Sequence, residues 1–387
     1  MNLLTPVQAA TIASGVYGLR ERTVSQLHDR GEKLGCESMF AVSDNSRIEA
    51  QSGSLMWKKL SGFGYIAAGT GKFEGDVLVV CRGTDTKNDW LSNFNMAVQL
   101  GTRGTPVHAG FNEVFKTFSP GIREFLRGRN PTRFHCVGHS LGGALASLTA
   151  DMLSVIGAGD IALYTFGSPR VGDGFFARSL TKHIGAENIF RVAHPADPVP
   201  MIPLFPFWHL PFGTAGMQIA ATSNALISVE AHNMEKSYIP GVSAQAGWSG
   251  LSIDGGQAAA DLKTRAWLDN IGQEHGKFMM GSASLMAMIG KALSYLLRVS
   301  GLAAAGGAGV VLTAGATIID QLSWALQRAA HISKQIGMHV FTLMRAICGF
   351  LGRTMVAATE MTFQFLRWLL ELFYNSLRSI AIRALRP

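Results

Sequence analysis

The sequence predicts an α/β fold built on a largely parallel or mixed sheet, followed by an all-helical C-terminal region. Three observations carry this. Short apolar runs of strand character alternate with helical segments over roughly the first 200 residues. A glycine-bearing turn, Gly138-x-Ser140-x-Gly142, joins one such run directly to one such helix. Beyond about residue 280 the texture changes to long apolar helices.

The elements follow in order. Residues 5–30 read as helical, with Thr5 as the N-cap before Pro6. SGFGYIAAG (61–69) and DVLVVCRG (76–83) read as strands, the second a buried one. A helix is expected over about 111–127, a buried strand over Arg133–Val137, and an amphipathic helix from Ala144 onward. IALYTFGSPR (161–170) reads as strand and turn, and ENIFRVAHPADPVP (187–200) as a strand entering a proline-punctuated loop. The small, glycine-rich stretch 243–262 reads as a loose connection. These readings divide the 387 residues into an α/β domain (1–245), a linker with a connecting helix (246–280) and an apolar, basic helical tail (281–387).

Composition narrows the function classes. Hydrophobic residues make up 48% and charged residues only 16%, against about 25% charged in an ordinary soluble chain. The net charge of +8 is uneven, because residues 281–387 hold ten Lys/Arg against three Asp/Glu. Those cations are spread singly along apolar segments, which argues against nucleic acid and matches an anionic membrane surface. The four cysteines (Cys36, Cys81, Cys136, Cys348) are scattered, so they read as reduced core residues and not as a disulfide frame. No Cys/His/Asp cluster has ligand spacing, and neither a metal nor a cofactor is expected. The N-terminus lacks a basic n-region and an uninterrupted apolar h-region. The expectation is therefore cytoplasmic synthesis with membrane association, or export without a conventional signal.

Strand, sharp turn and helix around Gly138-x-Ser140-x-Gly142 is the context of a nucleophile elbow, in which the two glycines let strand and helix approach and hold Ser140 outward. A serine hydroxyl needs a base oriented by an acid. Asp197, at the C-terminal end of an expected strand, is the candidate acid. The histidines that follow it are His209, His232, His275, His331 and His339; His232 is the best placed, and His194, which precedes the acid, is the rival. The backbone N–H of Leu141 is a natural oxyanion donor. Thr84, after the strand DVLVV, is either the second donor or an ordinary turn threonine.

The motifs CRGTDTKNDWLSN, VHAGF, GHSLGGALA, TFGSPRVGD, DPVP and HNMEKSY, in that order over roughly 60–240, resemble those of the class 3 (fungal-type) lipases. With its apolar C-terminal extension the chain looks like a bacterial member. The resemblance implies an α/β-hydrolase fold and a carboxylic ester hydrolase acting on lipids, phospholipid or acylglycerol. It implies catalytic roles for Ser140, Asp197 and His232, the last in the motif HNMEKSY, and an oxyanion hole at Thr84 and Leu141. It also implies a lid from Thr84 to about Leu100, here only mildly amphipathic. The loop 201–217 supplies Phe205, Phe207, Trp208, Leu210 and Phe212 as an acyl-binding wall, an interfacial rim or a buried crossover.

In the tail, Val299–Ile319 runs without a charge for about the length that spans a bilayer. Gln364, Arg367, Glu371, Asn375 and Arg378 form one narrow polar stripe on an otherwise apolar helix. Such a helix buries most of its circumference in a bilayer interface, in a helical bundle or under a protein partner. A second class of function follows from this, in which the tail is the active part of a membrane-disrupting or scaffolding protein, or of an exported antibacterial lipase effector.

Overall fold

The structure is a computed structural model that describes residues 2–20, 22–52, 59–83, 98–204, 206–214, 216–220, 226–251, 257–273, 280–300, 318–355 and 360–384. Helix α1 (Pro6–Gly15) starts at a capping box, with Thr5 and Gln8 satisfying each other's backbone N–H groups. The helix expected over 5–30 does not run through. It tightens into a 3₁₀ turn at Val16–Leu19, and a separate α2 (Val24–His28) starts at its own box of Thr23 and Gln26. A Cβ on Gly15 would lie 2.5 Å from the carbonyl oxygen of Leu34, so close backbone packing ends the first helix there.

Next come strands β1 (Phe40–Ala41), β2 (Arg47–Ser52), β3 (Lys59–Gly69), β4 (Val77–Cys81), β5 (Val98–Leu100) and β6 (Pro106–His108). Helix α3 (Ala109–Phe125), β7 (Arg133–His139), α4 (Leu141–Ile156), β8 (Asp160–Phe166), β9 (Gly172–Asp173), α5 (Gly174–Ile184) and β10 (Ile189–Ala193) follow. Beyond them lie β11 (Phe207–Trp208), β12 (Met217–Gln218) and α6 (Ile239–Ser243). The main sheet runs β1-β3-β4-β7-β8-β10-β12, with β2 also on β3. From β4 to β12 the pairs are parallel; β1, β2 and β4 pair antiparallel with β3. A smaller antiparallel sheet, β11-β9-β6-β5, lies beside it.

Two-residue periodicity sorts the side chains of the parallel strands between two cores. Val77, Val79 and Cys81 of β4 join Phe134 and Cys136 of β7 and Ile161 and Leu163 of β8 in one core. Leu78, Val80, Val137, Ala162 and Tyr164 join the other, with α1 and α6. All four cysteines are free and buried, and burial pushes the Cys36 and Cys81 thiols up to about 12.

The C-terminal third is helical: α7 (Gln257–Gln273), α8 (Ala283–Val299), α9 (Ile318–Ala330), α10 (Lys334–Phe350) and α11 (Phe363–Ala384). The connection is not loose throughout 243–262. Trp248 donates from Nε1 to the carbonyl of Leu4 at 2.9 Å and stacks on Phe190, and α7 has begun by Gln257. The tail helices also share a core with the sheet. Leu285, Met286, Ile289, Leu293 and Leu297 of α8, and Leu366, Leu369, Phe373 and Leu377 of α11, belong to the same continuous apolar cluster as Val199, Ile202, Leu204 and Leu210. Polar ties hold the bundle: His339 to Asp269 at 2.7 Å, Arg367 to Asp320 at 2.6 Å, and Arg298 to Asp261.

The polar stripe of α11 is thus partly an internal seam, with Arg367 also bound to Glu371 at 2.9 Å. Most of Val299–Ile319 lies outside the described residues; among the described residues no helix is long and apolar enough to cross a membrane.

Two predictions follow from this packing. A chain ending after Gln273 would expose the apolar cluster that α8–α11 cover, so it is expected to be largely insoluble and to lose hydrolysis of water-soluble esters. Soluble yield and ester turnover of that truncation check this. Stability should also fall in mild acid. Burial holds His135 below the ordinary imidazole range against the pull of Asp76, and holds His139 well below it. The unfolded chain therefore binds more protons once the pH drops under about 6.5, and the native state loses up to about 1.4 kcal/mol per pH unit for each such group. Urea midpoints measured from about pH 8 to about pH 5.5 should decline, chiefly over the lower half of that range.

Candidate active site

The site stands at the C-terminal ends of β7, β8 and β10. Ser140, between β7 and α4, has φ +58° and ψ −132°, and among the described residues it is the only non-glycine with positive φ. Such a conformation costs about 1–3 kcal/mol and persists only where its surroundings impose it. The surroundings here are backbone. A Cβ on Gly138 would lie 2.1 Å from the carbonyl oxygen of Gly142, and one on Gly142 would lie 2.1 Å from that of Cys81. Only glycine allows β7, β4 and the first turn of α4 to come this close.

Asp197 follows β10 in a tight turn and is fully buried. Its Oδ1 accepts from the N–H of Val199 at 2.8 Å; its Oδ2 accepts from the Tyr238 hydroxyl at 2.6 Å and from His232 Nδ1 at 2.8 Å. A carboxylate can only accept, so the proton of the neutral His232 ring sits on Nδ1 and Nε2 carries the lone pair. Ser140 Oγ and His232 Nε2 are both shielded from solvent and have no hydrogen-bond partner among the described residues. A serine nucleophile gives up its proton at Oγ and a histidine base takes one at Nε2, so each group has its reactive atom unengaged.

Gly167 makes room for this cluster. Its φ is +56°, and a Cβ there would lie 2.8 Å from Asp197 Oδ2 and 3.0 Å from both His232 Nδ1 and the Tyr238 hydroxyl. Tyr238 stays a phenol, because burial, reinforced by the Asp197 carboxylate, raises it well above its ordinary range. It also accepts from the N–H of His194 at 3.1 Å.

A second ring braces the histidine loop. His139 Nε2 faces the backbone carbonyl of His232 at 2.9 Å, so it is the donor, and Nδ1 accepts from the Tyr17 hydroxyl at 2.8 Å. The two imidazoles lie 4.5 Å apart, and burial, followed by repulsion from His232, keeps His139 neutral. When His232 takes up a proton, its neighbour does not carry one too.

The structure brings Ser140, Asp197 and His232 to one end of the sheet, with His139 beside them, and engages the other described candidate bases differently. The ring of His194 is engaged at Nδ1 by the N–H of Ala196 at 2.9 Å, which makes it a turn cap and not the base. His209 is held neutral by burial beside Arg191 and Arg170, His339 pairs with Asp269 in the bundle, and His331 lies exposed at the end of α9. His275 lies outside the described residues.

Leu141 opens α4, where backbone N–H groups have no helical acceptor. Thr84 and the lid segment to residue 97 lie outside the described residues. The glycine before Thr84 does reach the nucleophile: a Cβ on Gly83 would lie 3.3 Å from Ser140 Cβ and 2.4 Å from the Tyr17 hydroxyl.

The aromatic loop is a packed crossover and not an interfacial rim. Leu210 is buried in the shared core, Phe207 is buried beside the His108 ring, and Phe207 and Trp208 pair with β9. Trp208 packs at a tilt against Phe212 and is capped by Arg298 of α8, while Arg178 lies over Phe212. Phe205 lies outside the described residues. Tyr238, His139 and Tyr17 were not singled out by spacing. Tyr238 closes the motif HNMEKSY and His139 abuts the serine, whereas Tyr17 has no signal in the chain around it.

Residues 78–207 match the family described as lipase (class 3). Among curated proteins the chain is 38% identical over 157 residues to a secreted mono- and diacylglycerol lipase of Fusarium solani, covering 39% of this chain and 46% of that one. It is 34% identical over 138 residues to a secreted mono- and diacylglycerol lipase of Penicillium cyclopium, covering 33% and 43%. The chain spans less than half the length of these relatives. Among solved structures, a mutant form of MDLA from Penicillium cyclopium aligns with TM-score 0.40 and 26% identity over 57% of this chain and 80% of that one. The triacylglyceride lipase of Rhizomucor miehei aligns with TM-score 0.38 and 22% identity over 55% and 78%. By its motifs and this match, the stretch 78–207 is similar to the class 3 lipases, and it lies on the mostly parallel sheet of an α/β-hydrolase fold.

Proposed function

We propose that this chain hydrolyses carboxylic esters of acylglycerols through an acyl-enzyme on Ser140. The observation that carries the reading is the pair of unpartnered, buried atoms Ser140 Oγ and His232 Nε2, with Asp197 holding the histidine in the tautomer that makes Nε2 a base. The substrate class rests on the names of the relatives, two of them mono- and diacylglycerol lipases.

In this reading Ser140 Oγ attacks the ester carbonyl carbon as its proton passes to His232 Nε2. The carbonyl oxygen becomes an oxyanion facing the N–H of Leu141; one such donor is worth about 10²–10³ in rate. The Asp197 carboxylate stabilises the imidazolium, which then protonates the departing glycerol oxygen. A water molecule gives its proton to Nε2 and attacks the acyl carbon, releasing a fatty acid and restoring the serine.

The test is fatty-acid release by the full chain from mono-, di- and triacylglycerols and from phospholipids, beside a soluble short-chain ester. Hydrolysis confined to phospholipids would replace acylglycerols as the substrate. Membrane damage that survives Ser140→Ala would instead support a tail-borne activity, whether scaffolding, disruptive or that of an exported effector. Ser140→Ala and His232→Ala should each lower turnover by about 10⁴-fold or more, and Asp197→Asn by about 10⁴-fold, without additivity. Full activity in the His232 variant would sink the assignment. Tyr238→Phe removes one donor from a buried carboxylate and should lower turnover by about 10–100-fold, with soluble yield unchanged.

A further inference from the structure

The outer surface of the helical bundle carries a feature that the hydrolytic site does not use. Core formation leaves two tryptophans of the tail unburied, Trp324 on α9 (56% exposed) and Trp368 on α11 (46% exposed). These helices are neighbours, tied by Arg367 to Asp320. The ring of Trp324 lies 4.9 Å from that of Phe363 at the start of α11, and Phe365 lies 6.0 Å from Trp368. The stripe continues along α9 at one-turn spacing: Trp324, then exposed Arg328, then Ile332, itself 51% exposed in the turn beyond.

Cations accompany the aromatics. Arg353, exposed in the turn after α10, sits over the Trp368 ring at 5.6 Å. Of the three acidic residues in the tail, Asp320 and Glu371 are both engaged by Arg367. Arg328 and Arg353 have no carboxylate partner among the described residues.

We propose that this face, Trp324, Arg328, Ile332, Phe363 and Trp368 with Arg353, docks the protein onto an anionic lipid bilayer. Indole rings combine an apolar body with a polar N–H and are enriched where hydrocarbon meets headgroups. Arginines among them meet lipid phosphates at the same depth, each multiplying partitioning by about fivefold on an anionic surface. The seating is peripheral, because the inward faces of α9 and α11 are filled by Leu322, Leu326, Leu369 and Phe373. It also lies close to the chemistry, since α11 packs against the turn Glu230–His232 that carries the base. The proposal rests on the surface alone and stands whether or not the hydrolytic reading does.

The experiment is flotation of the full chain with vesicles of phosphatidylcholine, and of phosphatidylcholine mixed with phosphatidylglycerol, at low and high salt. Soluble-ester turnover and thermal melting are measured beside it. Wild type is expected to float with the anionic vesicles, more weakly with the neutral ones, and less as salt rises. Trp324→Ala with Trp368→Ala should lower partitioning by about tenfold or more on both compositions. Arg328→Gln with Arg353→Gln should lower it on the anionic vesicles alone. Melting and soluble-ester turnover should stay at wild-type values in both pairs. The proposal is overturned if the tryptophan pair floats as well as wild type, or if binding ignores phosphatidylglycerol. It is also overturned if the protein is a dimer that the tryptophan pair converts to monomer, which would assign the face to a second copy. Flotation without ester turnover in a folded wild type would refute the hydrolytic reading and leave this one standing.

Discussion

The site depends on one steric constraint, the contact of backbone with backbone around Ser140. The serine occupies a region that non-glycine residues avoid, and it is held there because β7, β4 and α4 converge with no side chain between them. The same convergence draws Gly83, after β4, alongside the serine. The placing of Ser140, of Leu141 at the start of α4 and of Gly83 thus follows from a single close contact. The backbone strain of about 1–3 kcal/mol is offset by a strand buried along its whole length on one side and a helix buried through most of its length on the other.

Around that contact the protein builds an electrostatic arrangement with little freedom. The buried Asp197 carboxyl group accepts from a backbone N–H, a phenol and the His232 imidazole. The neutral His139 then holds the His232 backbone by donating to its carbonyl, with Tyr17 of the N-terminal helical region fixing its tautomer. A charge arriving on His232 meets an acceptor on one side and an uncharged ring on the other. Tyr17 and Tyr238, from distant parts of the chain, thus hold His139 and Asp197 on either side of His232.

The helical tail is joined to this arrangement and not merely attached after it. Ser282 bridges to Leu226, and the N–H of Ile227 donates to the carbonyl of Gly281 just upstream of the histidine turn. Ala196 and Ala231, neighbours of the acid and the base, cluster with Ala283 of α8. The apolar length of the tail helices thus serves two surfaces, an inner one continuous with the sheet's core and an outer one where tryptophan and arginine remain.

The sequence by itself determined the principal strands of the main sheet and the glycine-flanked turn at Ser140, and it singled out Asp197 and His232 as candidates. Two-residue alternation, glycines around a serine and a proline-marked strand end are local patterns with one physical meaning each. Boundaries were legible where capping residues mark them, as at Thr5, and not where packing ends a helix, as at Gly15 against Leu34. Only the tertiary structure separates His232 from His194 by geometry, because the His232 ring, 35 residues from Asp197 along the chain, meets its carboxylate, whereas the His194 ring is engaged by the Ala196 N–H. The roles of Tyr17 and His139 were likewise invisible, since they depend on a contact between residues 122 positions apart. The apolar helices of the tail read equally as a bilayer element or a bundle, because hydrophobic periodicity reports that a face is buried and not what buries it. Folding against the sheet settled that for the inner faces and left Trp324 and Trp368 outside.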